Sequence, residues 1–527
     1  MKLDAISAER IGLPWLQAAV APVGGFGRRL DETTAPYGPA DEARAQAEIA
    51  DVVALAERLE PDGVGRLRAA LRAVPEPTPI VVRARVGDAL TDVDFYELGR
   101  FVDALDGLAR AWDAARGEPA RRPPALESLR AALAPGRTGP GAHGAGFYLG
   151  DAFDPDLPAA RAALGAEEDA LDARRDELAA RVREATGIDP VGEELVVLRD
   201  VHDGPLPAEL HVVRETPTYR VLALHVVSAE RDAALAHLMV VEERARRTLA
   251  EAVAREAEAV HAATRALGAL DRALARVAFA QRWGGCVPEL GGSRIAFAEA
   301  TFAPLADALA ARGHHYTPLA LDLRGVAVLT GPNMGGKSAA LATAGFLCAC
   351  AALGVPPPAH RAALPLLEAL ICLGGEGPAE RARLLSSYAA EVVRARETLA
   401  AASPRTLVLV DEFARTTGPR EGRALLVAFV EALRARGAFA LVATHFDGVA
   451  QTARVPHLRI AGLREHGLSA VDANDLDAAL DAINAAMDYH VVPASDGASE
   501  SDALALARLL GLDEAVVARA RELHDAP

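Results

Sequence analysis

Cysteine is scarce. The 527 residues hold four, Cys286, Cys348, Cys350 and Cys372. None sits in a C-x-x-C pair, so neither a disulfide framework nor a thiolate metal knuckle is expected, and the thiols read as free, structural and mostly buried. A run of about 20 apolar residues is also missing, as is a charged-then-apolar leader. The chain is therefore expected to be cytoplasmic, neither spanning a membrane nor secreted. Positive charge is in deficit: 56 basic residues face 73 acids, for a net charge of −17. Gripping a phosphate backbone is driven by counterion release from basic surface, so this balance weighs against nucleic acid as the main partner. Lysine is nearly absent. Only Lys2 and Lys337 occur, against 54 arginines. In a chain that uses arginine almost wherever a cation will serve, an internal lysine marks a task that a guanidinium cannot perform.

What is present is ordinary globular composition, 51% hydrophobic and 24% charged. The length corresponds to about three domains at roughly 150 residues each, ample for a core without staples. Residues 1–157 are Ala-rich and mostly helical, with loops expected at Pro75–Pro79 and Pro135–Gly146. Residues 158–290 read as an arm. Leu164, Leu171 and Leu178 form a heptad seam, and 195–227 reads as a small β tip, with Leu195–Leu198 and Tyr219–Val226 as strands around a turn at Asp203, Gly204 and Pro205. From Ala229 to Gly284 there is no proline. One unbroken helix there would span ~80 Å at ~1.5 Å per residue, and the alternative is two or three helices kinked near Gly268. Residues 291–527 alternate short buried strands with helices, the pattern of an α/β domain with a mainly parallel sheet.

The chemistry lies in that last region. Gly331-Pro332-Asn333-Met334-Gly335-Gly336-Lys337-Ser338 follows the apolar strand Val326–Thr330 and opens an apolar helix. Glycines in G-x-x-x-x-G-K-S let backbone amides wrap phosphates without Cβ clashes. Lys337 reaches the β/γ-phosphates, the Ser338 hydroxyl suits Mg²⁺, and the helix dipole faces the anion. The strand Leu407–Val410 delivers Asp411 and Glu412 to its C-terminal edge, where α/β sites lie. Asp411 is placed to hold the Mg²⁺ shell and Glu412 to orient and polarise an attacking water. His445 ends the strand Leu441–Thr444 and is placed to sense the γ-phosphate.

These motifs resemble the MutS family, ABC-class ATPases best known from DNA mismatch repair. Ser386-Ser387-Tyr388-Ala389-Ala390-Glu391 resembles its S-T-F-M-x-E signature. Asp411-Glu412-Phe413-Ala414-Arg415-Thr416-Thr417 resembles D-E-x-G-R-G-T, Ala443-Thr444-His445-Phe446 resembles A-T-H-Y, and Asp496-Gly497-Ala498-Ser499 resembles the start of its closing helical segment. Phe26–Arg29 and Leu270–Ala275 are similar to pieces of its helical lever domain. The resemblance implies an ABC-class P-loop ATPase domain over 291–527, preceded by a mainly α lever domain over 1–157 and a helical arm with a clamp-like tip over 158–290. It also implies Mg²⁺-dependent ATP hydrolysis by a homodimer with composite sites. In such a dimer Ser386 and Ser387 would meet the γ-phosphate held by the partner, and Tyr316 would stack on adenine.

The departures bear on the client. The mismatch-reading and connector domains are expected to be absent, and so is the nuclease domain of the second bacterial class, which Pro419-Arg420-Glu421-Gly422 otherwise resembles. The tip has three arginines, Arg199, Arg214 and Arg220, beside Glu193, Glu194, Asp200, Asp203, Glu209 and Glu215. Ala414 and Thr416 replace two glycines of the family pattern. These features turn the expectation toward a protein client, as in the MutS-related partners of adenosylcobalamin-dependent lysine 5,6-aminomutases. The alternative is a DNA-binding homologue of the mismatch-repair or recombination type.

Overall fold

The computed structural model describes residues 1–138, 146–189, 194–202, 204–205, 208, 210–224, 228–332, 336–374, 387–414, 417–463, 487–494, 507 and 512–525. Helices fill the N-terminal part in the order α1 (Ala5–Arg10), α2 (Leu13–Ala19), α3 (Gly25–Thr33), α4 (Glu42–Arg58), α5 (Pro61–Arg72), α6 (Thr78–Val86), α7 (Asp92–Ala114), α8 (Glu127–Leu133) and α9 (Pro135–Thr138). Next come α10 (Leu157–Thr186), strands β1 (Glu194–Leu198), β2 (Leu210–Glu215) and β3 (Tyr219–Leu224), then α11 (Ala229–Arg255) and α12 (Ala257–Trp283). The remainder alternates β4 (Glu289–Leu290), β5 (Ile295–Ala300), α13 (Ala303–Ala310), β6 (Leu319–Leu323), β7 (Val326–Thr330), α14 (Lys337–Ala352), β8 (Arg361–Leu364), β9 (Ala369–Gly374), α15 (Ser387–Ala401), β10 (Thr406–Asp411), α16 (Pro419–Ala435), β11 (Phe439–Ala443), α17 (Val449–Ala453), β12 (His457–Leu463) and β13 (Met487–Pro493).

The chain packs as two compact units. One comprises residues 1–72, 110–122 and 267–527, and the other 73–109 and 123–266. These limits differ from the three sequence regions, because residues 1–72 pack with the α/β part.

The first unit is organised by a six-stranded sheet in the order β13-β12-β7-β11-β10-β9, all parallel except the edge strand β13. Strand residues alternate between two apolar layers. Leu407 and Leu409 join Phe346 and Leu347 of α14 on one face, with Ile11 and Leu16 from the N-terminal helices. Val408 and Val410 join Leu426, Phe429 and Val430 of α16 on the other. Burial on both faces explains the continuous apolar runs. A second sheet, β4-β8-β5-β6, is mixed. Its strands were not among those expected, although β6 alternates buried leucines with exposed Ala320 and Asp322.

In the second unit β1-β3-β2 is an antiparallel sheet. Leu195, Val197 and Leu222 cover Leu178 and Val182 of α10. Strand β2 was not expected from the sequence. Pro190, Glu193, Asp203, Glu209 and the stretch 225–227 lie outside the described residues. The segment from Ala229 onward is two helices, as one of the alternatives allowed, but the break falls at Glu256 rather than near Gly268. Gly268 lies within α12, where a Cβ would stand 3.0 Å from the carbonyl oxygen of Phe26. It is a close-approach glycine, not a hinge. Among the described residues no helix is long and apolar enough to cross a membrane. Cys348, Cys350 and Cys372 are buried, Cys286 is half-buried, and all four are free. Burial pushes the Cys348 thiol up to about 12 and those of Cys286 and Cys372 to about 11, which keeps them unreactive.

Candidate functional site

The site forms where β7, β10 and β11 end. Val326–Leu329 is buried throughout, and the chain leaves the sheet through Gly331 at φ +150°. A Cβ there would lie 2.9 Å from that of Ile460 on β12, so only glycine lets the loop depart so close to the neighbouring strand. Gly336 re-enters at φ +88° as the N-cap of α14, and Lys337 is the first helical residue. Asn333, Met334 and Gly335 lie outside the described residues.

Lys337 is buried, 6% exposed. Its ammonium donates to the carbonyls of Gly331 at 2.8 Å and Pro332 at 3.0 Å. The lysine thus lies folded across the loop that begins the motif. Burial lowers its pKa, opposed by the carboxylates of Glu412 and Asp411. A buried ammonium with two acids nearby and loop carbonyls as partners is poised to exchange those carbonyls for anionic oxygens.

Asp411 is the last residue of β10, and its Oδ2 accepts from Ser338 Oγ at 2.7 Å. The hydroxyl and carboxylate come from different elements, and both are hard oxygen donors. That pair fits Mg²⁺, which takes one or two protein oxygens and completes its shell with water and phosphate. A site of that kind needs no larger cluster, and among the described residues no group of three or more His, Cys, Asp or Glu could hold a metal. Glu412 follows at φ +57°, its backbone N–H donating to Ala443 O at 3.0 Å, so the left-handed kink is tied to β11. Ala414 is left-handed too, at φ +63°, and its N–H donates to Glu391 Oε1 at 3.1 Å. Glu391 belongs to α15, so the last residue of the 386–391 motif braces the acid loop within one chain. Arg415 and Thr416 lie outside the described residues.

The other sequence candidates are distributed as follows. His445 lies just beyond β11, exposed, with its ring 4.4 Å from that of Phe446. The turn is held beneath it, where Thr444 N–H donates to Leu329 O at 3.1 Å and Phe446 N–H to Thr444 Oγ1 at 3.0 Å. Tyr316 is half-buried, its hydroxyl 3.3 Å from Thr343 Oγ1 of α14, and burial raises its pKa. Ser387 begins α15, its side chain not among those described, and Ser386 lies outside the described residues, as does Asp496–Ser499. The structure therefore brings Lys337, Ser338, Asp411 and Glu412 together. Tyr316 joins α14 about two turns from its start.

Three contributors were missed. Gly374 ends β9 directly against Asp411. Tyr489 of β13 lies against the loop, 3.0 Å from where a Gly336 Cβ would stand. Arg10, on α1, lines a cavity of about 230 Å³ together with Ser338 and Asp411. Nothing local in the sequence ties positions 10 or 489 to this loop. Gly374 follows the apolar run 369–373, and glycine at a strand end was the available signal.

Residues 327–526 match the family model for MutS domain V. Over 498 residues the chain is 30% identical to the DNA mismatch repair protein MutS of Thermus aquaticus, an alignment covering 91% of this chain and 53% of that one. It is 32% identical over 419 residues to the DNA mismatch repair protein MutS of Thermus thermophilus, covering 76% and 47%. Over 200 residues it is 36% identical to the endonuclease MutS2 of Thermomicrobium roseum, covering 38% and 23%. The chain thus spans from about a quarter to about half of the length of these relatives.

Proposed function

Residues 327–526 are a MutS domain V, and from that premise we propose that this protein binds and hydrolyses ATP with Mg²⁺ as a homodimer and couples turnover to movement of an arm that acts on DNA. The observation that carries the nucleotide reading is the convergence of Lys337, folded on its own loop, with the bonded pair Ser338–Asp411. Lys337 would bind the β/γ-phosphates. Ser338 and Asp411 would hold Mg²⁺, which when bound neutralises phosphate charge. Glu412 would hold the proton of the attacking water, His445 would face the γ-phosphate, Tyr316 would pack beside the base, and Ser386 and Ser387 would complete the partner's site.

The DNA client rests on the printed names of the relatives, which are mismatch-repair proteins and endonucleases. An aminomutase client, the reading first favoured by the sequence, finds no support among them. A protein client remains the second reading on one observation. The arm's sheet exposes Val196, Leu198, Val212 and Val213, 46–59% accessible, an apolar surface that phosphate binding does not use.

Kinetics on two variants test the core. Glu412→Gln should bind ATP normally and lose roughly 10²–10⁴-fold in hydrolysis, because only proton acceptance is removed. Lys337→Ala should weaken nucleotide binding by about tenfold or more, because charge-assisted bonds to phosphate are lost. Wild-type turnover by Glu412→Gln would sink the assignment. Mixing inactive Lys337→Ala with an inactive Ser387→Ala protein should restore activity in heterodimers, and heterodimers that form without rescue would argue for self-contained sites.

A further inference from the structure

The N-terminal segment is built into the catalytic sheet. Lys2 pairs with Ala369 in a parallel bridge at the outer edge of β9. There Lys2 N–H donates to Glu368 O at 2.6 Å and Leu370 N–H donates to Lys2 O at 3.0 Å. Ser7 is fully buried, and its Oγ accepts from Cys372 N–H at 2.8 Å. Arg394 of α15 donates to Asp4 Oδ2 at 2.8 Å and to Cys372 O at 2.9 Å. Gly345, in the middle of α14, makes room for Ile11: a Cβ there would lie 2.5 Å from Ile11 Cγ2. Strand, helix α15 and helix α14 therefore all fix the end of α1.

Arg10 is the last residue of α1, and its Nη1 donates to Leu373 O, beside the end of β9, at 3.3 Å. Arg10 lines a cavity of about 230 Å³ together with Ile11, Leu341, Cys372, Ser338 and Asp411. The pair already described thus has a second cationic residue in its surroundings, Arg10 lining the same cavity, besides Lys337. Lys337 comes from the loop side, where phosphates would lie. Arg10 shares the cavity lining with Ser338 and Asp411 and is held there by its bond to Leu373 O. A guanidinium keeps its charge at any working pH.

We propose that Arg10 is a positioning residue for the divalent-cation side of this site: across the shared cavity its charge opposes a bare divalent cation at Asp411, so that the cation binds well only together with the negative charge of nucleotide phosphates. The proposal rests on the nucleotide reading above. Two cations near one carboxylate repel, and the repulsion in a small cavity is less screened than in bulk water. Polyphosphate arriving with the metal cancels it. The device would keep Asp411 bonded to Ser338 in the absence of nucleotide and limit futile occupancy by metal alone.

The test is Mn²⁺ binding to the full-length protein without nucleotide, followed by the electron paramagnetic resonance of free Mn²⁺. Arg10→Gln deletes the charge and keeps a donor for Leu373 O, and Arg10→Lys keeps the charge. Arg10→Gln should bind Mn²⁺ roughly threefold to tenfold more tightly than wild type, because a charge–charge repulsion is removed. Arg10→Lys should stay near wild type. Loosening of the fold would weaken binding, so tightening separates an electrostatic role from a structural one. If Arg10→Gln does not fold, Arg10→Met, of similar length and uncharged, should show the same tightening. Equal or weaker Mn²⁺ affinity in a folded uncharged variant, or no detectable binding by any of the proteins at millimolar Mn²⁺, overturns the proposal. Titration of wild type with a fluorescent ATP analogue and Mg²⁺ runs alongside. Its failure would remove the nucleotide reading while the Mn²⁺ comparison still reports on Arg10.

Discussion

Gly374 ends β9 at φ +82°, and a Cβ there would collide with the carbonyl oxygen of Asp411. No rotamer change relieves that contact, because the obstacle is backbone. Gly374→Ala must therefore part β9 from β10 at the residue that carries the carboxylate. The left-handed backbone costs about 1–2 kcal/mol for a residue with a Cβ, and overpacking costs about 1–3 kcal/mol more. Denaturant unfolding should show a loss of about 2–5 kcal/mol, and divalent-dependent nucleotide binding should fall with it. A variant with wild-type stability and binding would mean that this strand end is not held as described. Beyond the end of β10 the balance differs. Ala414 is left-handed where the MutS pattern has glycine. Its strain of about 1–2 kcal/mol is offset by a buried methyl worth about 0.8 kcal/mol and by an unfolded-chain restriction of about 0.4–1 kcal/mol relative to glycine. The sum is near zero, which is how alanine is tolerated there. At this scale the sequence displayed the identities of the acids and the lysine. It did not display that Glu412 and Ala414 are both left-handed, since nothing about those residue types asks for it.

Helices in the N-terminal part are pinned by side chains far away in sequence. Asp271 of α12 is 1% exposed, and its carboxylate accepts from Val23 N–H at 3.1 Å and Gly24 N–H at 2.7 Å, satisfying amides that precede α3. Burial raises its pKa, against the pull of those amides and of Arg68. Gly27 allows the approach, for a Cβ on it would lie 2.5 Å from Asp271 Oδ2. The second compact unit uses a different lock. Arg244 of α11 donates to both oxygens of Asp154 at 2.7 Å and to Asp156 at 2.6 Å, joining α11 to the start of α10. The Arg244 bonds and the Asp156 backbone bond lower the Asp154 pKa to about 2. A depressed carboxylate contributes stability above its unfolded pKa of about 3.9 and loses it as pH falls through the folded value. The excess melting temperature of wild type over Asp154→Asn should thus be constant from pH 7 to about 5 and shrink between about 4 and 2. A difference independent of pH would mean that the pair does not couple to folding. Legibility at the element scale followed burial. Strands β7, β10 and β11, buried on both faces, announced themselves as apolar runs. Strand β2, reading His211-Val212-Val213-Arg214 on a sheet edge with a bulge at Val212/Arg214, has no clean alternation and was invisible. The break at Glu256 interrupts Ala254-Arg255-Glu256-Ala257, good helix formers throughout, so only the packed structure reveals it.

Charge is the property of the whole molecule that bears most on its client. A net −17 repels a polyanion at long range, and only a local basic surface can reverse that. In and beside the β1-β3-β2 sheet the described arginines are Arg199, Arg214 and Arg220. Arg199 is already paired with Glu215, and Arg220 donates to His202 O at 3.3 Å. If all three nevertheless met phosphate, the log–log dependence of affinity on salt would have a slope of about −2.7, at −0.9 per phosphate. We expect a slope no steeper than about −3, an affinity within the ~10⁻⁴–10⁻⁶ M non-specific range at physiological salt, and no preference for mismatched over matched duplex. Anisotropy titrations with homoduplex, mismatched and four-way-junction DNA at two salt concentrations, with and without ATP, measure all three quantities. Nanomolar, structure-selective binding with a slope near −6 would require about seven phosphate contacts and hence a basic surface that the tip does not supply. Undetectable binding under every condition, together with nucleotide-dependent capture of a protein on the face of Val196 and Leu198, would move the client from DNA to protein.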